Sequence, residues 1–382
     1  MERDELAAWL RLALTPGISN ATARKLLAAF GLPQSVFEQP DSALSSVVIA
    51  AHATALRQEP PQLAQQLETT LSWLAHSDGS SQQRRVLTLA ETHYPQALLH
   101  TADPPLMLYV AGRADTDWPA GIAIVGSRNP TPQGSLNARQ FARSFADAGL
   151  TVVSGLALGV DGAAHEGALE AASADRLATI AVVGTGLDRV YPRQHHALAH
   201  RIAQNGLLVS EYPLGTPPLA ANFPRRNRLI AALSQGTLVV EAALKSGSLI
   251  TARQAVEQGK DVFAIPGSIH SAQSRGCHAL LKQGAKLVET AQDVLEELGM
   301  PAPPRAATAP ASSADTEDSS PEQPPEEDEV VRALGFDPVS LDALVSRTGI
   351  APARLQARML ELELSGQLAR LPGGLFQRIA AS

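Results

Sequence analysis

The sequence is poor in cysteine and in aromatic residues. Cys277 is the single cysteine among 382 residues, so the chain can form neither an intramolecular disulfide framework nor a zinc site built from several cysteines. Because Cys277 precedes an apolar run, we expect it to be a small buried apolar residue rather than a nucleophile. Aromatic residues make up only 4% of the chain, which argues against a surface built mainly from aromatic stacking platforms.

The sequence also lacks an apolar run of membrane-spanning length and, at its start, a secretory signal. We therefore expect a cytoplasmic protein without a membrane partner. With 45% apolar residues over this length, the chain has enough apolar surface for two or three globular domains.

The net charge of −7 is concentrated in one segment. Residues 301–329 hold eight acidic residues against one base, Arg305, so the rest of the chain sums to zero. The surrounding stretch is rich in Pro, Ala and Ser and has almost no large apolar residues, which predicts an acidic, disordered linker over residues 299–329. A neutral body can still carry a local cationic patch, so the overall charge does not exclude a nucleic-acid partner.

The linker separates a long body from a short C-terminal unit, and the body begins with helices. Leucines at helical spacing predict a helical N-terminal domain over residues 1–80. The turn Thr15-Pro16-Gly17-Ile18-Ser19 between two such helices is typical of a helix-hairpin-helix or SAM-like unit. Its amides could hold a nucleic-acid phosphate, although an ordinary turn between helices needs the same residues.

The C-terminal unit, residues 330–382, is predicted to be a winged helix. Three stretches with helical periodicity precede a hairpin pattern around Pro372-Gly373-Gly374. Its candidate recognition helix carries Arg354 and Arg358 beside Glu361 and Glu363. Because that mixture is a weak DNA-binding surface, contact with duplex DNA and contact with a protein both remain open.

Between these units, residues 81–298 alternate short apolar strands with helices. The predicted strands are 122–126, 151–154, 179–183, 207–210, 237–240, 262–265 and 286–288. Apolar strands that alternate with helices indicate a mostly parallel sheet covered on both faces. We therefore predict an extended Rossmann-like, doubly wound α/β domain, whose ligand binds at the carboxyl ends of the strands.

An arginine cluster stands directly before a predicted helix. Arg225, Arg226 and Arg228 lie within four residues, and Phe223 and Asn227 flank them. A guanidinium matches phosphate oxygens, and an anion at a helix N-terminus would relieve the conflict between this positive charge and the helix dipole. The cluster therefore predicts the floor of a phosphate-binding pocket, with a solvated helix face as the competing interpretation.

Small and cationic residues also follow the predicted strands. Gly126-Ser127-Arg128 follows the first strand and Lys245-Ser246-Gly247-Ser248 the fifth, so both lie at the same edge of the sheet. Neither matches a known nucleotide fingerprint. Gly184-Thr185-Gly186 has Arg189 where a dinucleotide motif needs its third glycine, and no P-loop is present, so we do not predict ATP hydrolysis.

Catalytic residues are hard to assemble from this sequence. Asp161 and His165 are four residues apart and could meet on one helical face. The favoured interpretation is that Asp161 caps its helix while His165 packs beside it. We therefore predict a protein that binds phosphate without a metal, a cofactor or enzymatic chemistry.

In these motifs the chain resembles the bacterial DNA-processing protein A family, DprA, also called Smf. The resemblance covers roughly residues 85–298 and includes Tyr94-Pro95 and Asp103-Pro104-Pro105. The matching stretches are Ile124–Arg128, Val153–His165, Gly184–Pro192, Phe223–Ser234, Val239–Ala252 and Val262–Gly276. The helical N-terminus and the winged-helix tail suit the same family.

The resemblance implies a non-enzymatic protein that binds single-stranded DNA, protects incoming strands in natural transformation and loads the RecA recombinase onto them. It also implies a homodimer formed by the Rossmann-like domain. By that similarity, the DNA-binding residues would be Gly126, Ser127, Arg128, Phe223, Arg225, Arg226, Asn227, Arg228, Ser246, Gly247 and Ser248. Phe223 would contact a base, and the arginines would hold the backbone.

The competing class is an enzyme. Nucleotide phosphoribohydrolases of the lysine-decarboxylase-like type share this Rossmann-like branch, and their signature places a catalytic glutamate after a Pro-Gly-Gly-x-Gly-Thr loop. The nearest counterpart here, Lys245–Ala252, lacks both the Pro-Gly-Gly and the glutamate. A scaffold that senses a free nucleotide is a third alternative.

Overall fold

The structure, a computed structural model, describes residues 1–75, 83–114, 117–173, 175–300, 329–335, 338–371 and 373–379. The predicted acidic linker falls almost wholly on residues 301–328, which lie outside the described residues. Pro372 of the predicted hairpin turn lies outside them as well.

The N-terminal part is helical, as predicted. Its helices are α1 (Arg3–Leu14), α2 (Asn20–Phe30), α3 (Pro33–Glu38), α4 (Asp41–Val47), α5 (Ala50–Arg57) and α6 (Leu63–Ala75). Ser19 caps α2, because its side chain accepts a hydrogen bond from the Thr22 amide. The helices bury Trp9 and Leu26 in a core that also takes in Tyr109 and Leu214, so this part packs directly against the sheet.

The central element is a nine-stranded sheet with the order β1-β2-β6-β5-β4-β3-β7-β8-β9. Its strands are β1 (Gln83–Thr88), β2 (Met107–Gly112), β3 (Gly121–Val125), β4 (Thr151–Ser154), β5 (Thr179–Val182), β6 (Leu207–Ser210), β7 (Gly236–Val239), β8 (Asp261–Ala264) and β9 (Lys286–Leu287). Strands β3 to β9 are parallel. This confirms the predicted doubly wound, mostly parallel sheet. The antiparallel strands β1 and β2 at one edge were not predicted.

Helices cover both faces of the sheet. They are α7 (Gln96–Leu99), α8 (Pro132–Asp147), α9 (Val160–Glu170), α10 (His196–Asn205), α11 (Asn222–Ala232), α12 (Ser248–Glu257), α13 (Arg275–Lys282) and α14 (Ala291–Glu297). Alternate residues of β3 point to opposite faces. Ile122 and Ile124 belong to the core under α8 and α9. Ala123 and Val125 belong to the core that contains Leu229 of α11.

The C-terminal part is a winged helix, as predicted. It consists of α15 (Glu329–Leu334), β10 (Val339–Ser340), α16 (Leu341–Thr348), α17 (Pro352–Leu364), β11 (Leu368–Leu371) and β12 (Leu375–Arg378). The three strands form an antiparallel sheet in the order β10-β12-β11. Leu344, Leu355 and Phe376 form its own core.

Across the described ranges, every helix is too short or too polar to cross a membrane.

Candidate nucleic-acid interface

The largest set of predicted site residues meets where the strand order of the sheet reverses. β4 lies on one side of β3 and β7 on the other, so the loops that follow these strands diverge and leave a crevice at the carboxyl edge. A cavity of about 590 Å³ lies in this crevice, and we call it the switch-point pocket. Eight of the eleven predicted residues line it: Gly126, Arg128, Phe223, Arg226, Asn227, Ser246, Gly247 and Ser248.

The loop after β3 brings one cation to the pocket. At Gly126 a Cβ would lie 2.7 Å from Val160 Cγ2, so this position requires glycine. Arg128 is exposed, and its guanidinium lies 5.9 Å from the centre of the Phe223 ring. Ser127 is buried, and its hydroxyl accepts a hydrogen bond from the Asn129 amide at 3.1 Å. Ser127 therefore shapes this loop and does not line the pocket.

Arg226 forms the floor of the pocket. It is only 4% exposed, and its Nη1 donates to the Gly155 carbonyl at 2.6 Å and to the Val182 carbonyl. The guanidinium therefore ties α11 to the carboxyl ends of β4 and β5. Burial lowers the pKa of Arg226 to about 10, an effect that the nearby Asp161 carboxylate opposes, so the side chain stays charged at neutral pH.

The other two arginines of the cluster lie outside the pocket. Arg228 pairs with the buried Glu211 carboxylate and lies 4.0 Å from Asp103. Arg225 is exposed and lines a second cavity on the far side of Pro224. Of the three clustered arginines, one is therefore a buried floor, one belongs to an ion pair and one faces solvent.

The prediction that Asp161 caps its helix was wrong. α9 begins at Val160 without a side-chain cap. Asp161 Oδ2 instead accepts hydrogen bonds from the Gly155 and Ala157 amides at 3.1 and 3.3 Å. Burial raises the pKa of Asp161, while Arg226 and these amides act in the opposite direction. A side chain that caps a helix accepts from amides of the first helical turn, whereas the amides bonded to Asp161 come before the helix. Asp161 therefore organises the loop after β4.

His165 packs as predicted and does not meet Asp161 in a catalytic pair. It is fully buried, and its Nδ1 lies 2.7 Å from Thr179 Oγ1. Cys277 is also fully buried, and burial raises the pKa of its thiol to about 12. Neither group is available as a catalytic acid, base or nucleophile at neutral pH.

An aromatic residue and a cation that line the pocket, Tyr191 and Lys245, were not among the eleven predicted site residues. Tyr191 follows β5, is 46% exposed and packs its ring against Phe223, with the ring centres 5.5 Å apart and the planes tilted by 38°. Lys245 follows β7 and adds an exposed cation. The sequence signals were a tyrosine before Pro192 and a lysine beside the Ser-Gly-Ser loop. The order of the strands placed the Lys245 loop at the same sheet edge as Arg128, but nothing in the sequence placed Tyr191 beside Phe223.

The pocket combines positive charge with two aromatic rings. Arg128, Arg226 and Lys245 outweigh Asp161, the one carboxylate among the described residues that line it. α11 and α12 both begin at the pocket, and their N-cap residues, Ala221 and Gly247, provide no side-chain cap. Ser246 Oγ accepts a hydrogen bond from the first amide of α12, that of Ser248, at 3.3 Å. Helix N-termini and cations together attract phosphate. Within the described part of the chain, no group of three His, Cys, Asp or Glu residues is placed to hold a metal ion.

These features define a Rossmann-like α/β protein with a cationic, aromatic-lined crevice at the switch point of its sheet. Comparison with known families gives the particular group. The family model described as DNA recombination-mediator protein A matches residues 85–299, and the DprA winged-helix domain matches residues 301–374. The chain belongs to the DNA recombination-mediator protein A family, DprA/Smf.

Individual relatives agree with this assignment. Protein Smf of Escherichia coli is 40% identical over 339 residues, which cover 87% of each chain. The solved structure of DNA processing protein A from Streptococcus pneumoniae has a TM-score of 0.64 at 33% identity and covers 78% of this chain and 98% of that one. The structure of DNA processing protein A from Helicobacter pylori, described for its single-stranded DNA binding mode, has a TM-score of 0.50 at 37% identity. It covers 56% of this chain and 95% of that one.

Proposed function

We propose that this protein is a DNA-processing protein that binds single-stranded DNA in the switch-point pocket. The observation that carries the proposal is the joint presence of exposed cations, Arg128 and Lys245, and an aromatic pair, the exposed Tyr191 and the partly buried Phe223, around one crevice. Cations neutralise phosphates whatever the sequence, while rings stack on bases. The H. pylori relative, described for its single-stranded DNA binding mode, supports the same conclusion.

The residues of the pocket take different roles in this proposal. Arg128 and Lys245 hold phosphates, and Phe223 contacts a base. The start of α12 adds a donor, since the Ser246 and Ser248 hydroxyls hydrogen-bond to each other at 2.6 Å and one of the two can donate to a phosphate. Asn227 holds the walls together, because its side chain accepts from Arg226 Nε at 3.1 Å and donates to the Gly247 carbonyl at 3.3 Å. Arg226 contributes its charge from below.

Fluorescence anisotropy of a labelled oligonucleotide, single-stranded and double-stranded, tests this proposal. Wild type should prefer the single strand, because a narrow crevice admits a splayed chain more easily than a duplex. Arg128→Ala should weaken binding of all sequences alike. Arg253→Ala is the matched control, since Arg253 is an exposed arginine of α12 that lines neither cavity.

The outcomes separate clearly. Equal losses in Arg128→Ala and Arg253→Ala would remove Arg128 from the site. No binding of wild type to either form of DNA would contradict the proposal. Arg226 is unsuitable as a first variant, because its removal also breaks the ties to Gly155 and Val182.

We further propose that the bound strand is delivered to the RecA recombinase, that the protein acts as a cytoplasmic homodimer, and that it serves natural transformation and homologous recombination. The family's description as a recombination mediator supports this proposal. The test is the rate at which RecA assembles on a strand coated with single-strand-binding protein. The protein should accelerate assembly, and an unchanged rate would contradict this step.

The proposed function is not enzymatic. Asp161, the one carboxylate among the described lining residues, already accepts hydrogen bonds from two amides. Incubation with nucleoside monophosphates should therefore release no free base. Measurable release that disappears in Asp161→Asn would favour the phosphoribohydrolase alternative instead.

A further inference from the structure

A second cavity adjoins the switch-point pocket. It measures about 540 Å³, and Pro224 lines both cavities. Arg225, the next residue along α11, lines the second cavity and not the first. We call it the Arg225 cleft. A polymer that leaves the switch-point pocket across Pro224 enters this cleft directly.

The far wall of the cleft comes from the helical N-terminal part. Asn20, the first residue of α2, lines the cleft, and its Nδ2 donates to Asp103 Oδ2 at 3.3 Å. Arg24 of the same helix donates to Asp103 Oδ1 at 3.3 Å and to the Ala102 carbonyl at 2.8 Å. The cleft is therefore a fixed junction between the helical part and the sheet domain.

The charge balance of the cleft leaves one cation free for a ligand. Glu211 is paired with Arg228, and Asp103 lies between Arg24 and Arg228. Arg225 is exposed and forms no ion pair with any residue that the structure describes. Each of the two carboxylates is thus paired with another arginine, and Arg225 acts on Glu211 only at longer range, as a charge that lowers the pKa of that carboxyl.

The walls of the cleft also keep hydrogen-bonding capacity in reserve. Glu211 Oε1 and Gln254 Oε1 are buried and have no donor among the described residues. Tyr212 supplies an aromatic wall beside them. Both buried oxygens are acceptors, so they suit the N–H donors of nucleobases, while Arg225 is the group that suits a phosphate.

We propose that the Arg225 cleft is a second nucleic-acid subsite, which binds the nucleotides that follow those in the switch-point pocket. Arg225 holds a phosphate, and α2 forms the outer wall. This inference rests on the proposed function. It assigns part of the binding surface to the helical N-terminal part. A strand is favoured over an acidic peptide because the cleft continues directly from a pocket whose cations and rings suit nucleotides.

The first test measures affinity for oligothymidylates of about 4 to about 16 nucleotides, the range of site sizes found for single-stranded DNA proteins. Wild type should gain affinity once the strand is long enough to cross Pro224. Arg225→Ala should lose that gain, and its slope of log affinity against log salt should fall by about 0.7 for long strands, the value for one phosphate contact. For the shortest strands, the affinity of Arg225→Ala should equal that of wild type.

The length series separates this inference from the proposed function. Wild-type binding to short strands tests the switch-point pocket alone. If Arg225→Ala and the control Arg253→Ala have the same salt slope on long strands, the cleft is not a subsite. If wild type binds no strand of any length, both proposals are wrong. Displacement of a long strand by a polyglutamate peptide, in wild type but not in Arg225→Ala, would assign the cleft to acidic peptides instead.

A second test locates the strand. Because Cys277 is fully buried, a cysteine introduced at the surface is the accessible thiol. Asn20→Cys, labelled with a thiol-reactive photo-crosslinker, should crosslink to long strands and not to the shortest ones. Ser45→Cys, at an exposed position of α4 away from the cleft, should crosslink to neither. Equal crosslinking from both positions would overturn the assignment.

Discussion

At the scale of single residues, buried polar groups reveal their protonation through their neighbours. The Thr179 hydroxyl donates to the Val152 carbonyl at 2.6 Å, so it must accept a hydrogen bond from His165 Nδ1. His165 is therefore the neutral tautomer with its hydrogen on Nδ1. Burial lowers its pKa to about 3, and the neighbouring His195 and Arg226 act in the same direction.

This depressed pKa makes the stability of the fold depend on pH. Between pH 3 and about 6.5, the unfolded chain binds a proton at His165 that the folded protein does not bind, so the free energy of unfolding falls as pH falls through that window. As pH falls through this window, the free energy of unfolding of wild type should drop by about 1.4 kcal/mol for each pH unit relative to that of His165→Gln. Denaturant unfolding of both proteins from pH 7 to pH 4 measures the difference. If the free energies of unfolding of the two proteins change with pH in parallel, His165 does not titrate in this way.

The roles of the clustered arginines could not be predicted at this scale. The spacing of Arg225, Arg226 and Arg228 indicated cations at a helix start, and α11 does begin at Asn222. The carbonyls that hold Arg226 belong to Gly155 and Val182, more than forty residues earlier in the chain. The carboxylate that holds Arg228 comes from Glu211, at the end of β6. Which arginine stays exposed is decided by those partners, and local sequence does not name them.

At the scale of helices and strands, one close helix contact is decided by a glycine. α8 and α9 pack side by side on the same face of the sheet. At Gly167 of α9 a Cβ would overlap the backbone carbonyl of Arg139 in α8, whose carbon lies 2.7 Å away. Because the obstacle is backbone, the two helices must separate to admit any side chain.

We expect Gly167→Ala to lower the free energy of unfolding by about 1–3 kcal/mol, the usual cost of overpacking. The better helix propensity of alanine returns only about 1 kcal/mol of that cost. Gly162→Ala on the same helix is the control, since its Cβ would be crowded by the partly exposed ring of His195, which can move, and would lie at an ordinary contact distance of 3.6 Å from the Ala157 carbonyl oxygen. Denaturant unfolding compares the two variants. A Gly167→Ala protein as stable as the control would show that α8 and α9 move apart easily.

Sequence patterns predicted the parallel strands and missed β1 for a physical reason. β3 and β4 are buried along their whole length, so their residues read as unbroken apolar runs. β1 begins with Gln83, Arg84 and Arg85 at the edge of the sheet and is buried only in its second half. Its polar start resembles a loop, and only its pairing with β2 identifies it as a strand.

At the scale of the whole molecule, the net charge of −7 is a poor guide to what the protein binds. The acidic residues of 301–329 account for it, while the switch-point pocket gathers Arg128, Arg226 and Lys245 against one carboxylate. Fields of exposed charges are screened within about 8 Å at physiological ionic strength, so the local patch governs contact with a phosphate chain.

We therefore expect DNA binding to be strongly salt-dependent despite the acidic composition. If the protein neutralises about three phosphates, log affinity should fall with log salt at a slope of about −2, using the coefficient for single strands. Anisotropy titrations of an oligothymidylate at four or more salt concentrations measure the slope. Affinity that does not change with salt would mean that the cations of the pocket do not contact phosphates.

The switch-point pocket is assembled from loops that are far apart in the chain, from Gly126 after β3 to Thr251 in α12. During translation, a ribosome delivers these loops one after another, and the domain folds as a unit. A growing chain therefore has no complete pocket until α12 has emerged and docked on the sheet. The newly made protein thus cannot hold a ligand in this pocket while the earlier strands are being synthesised.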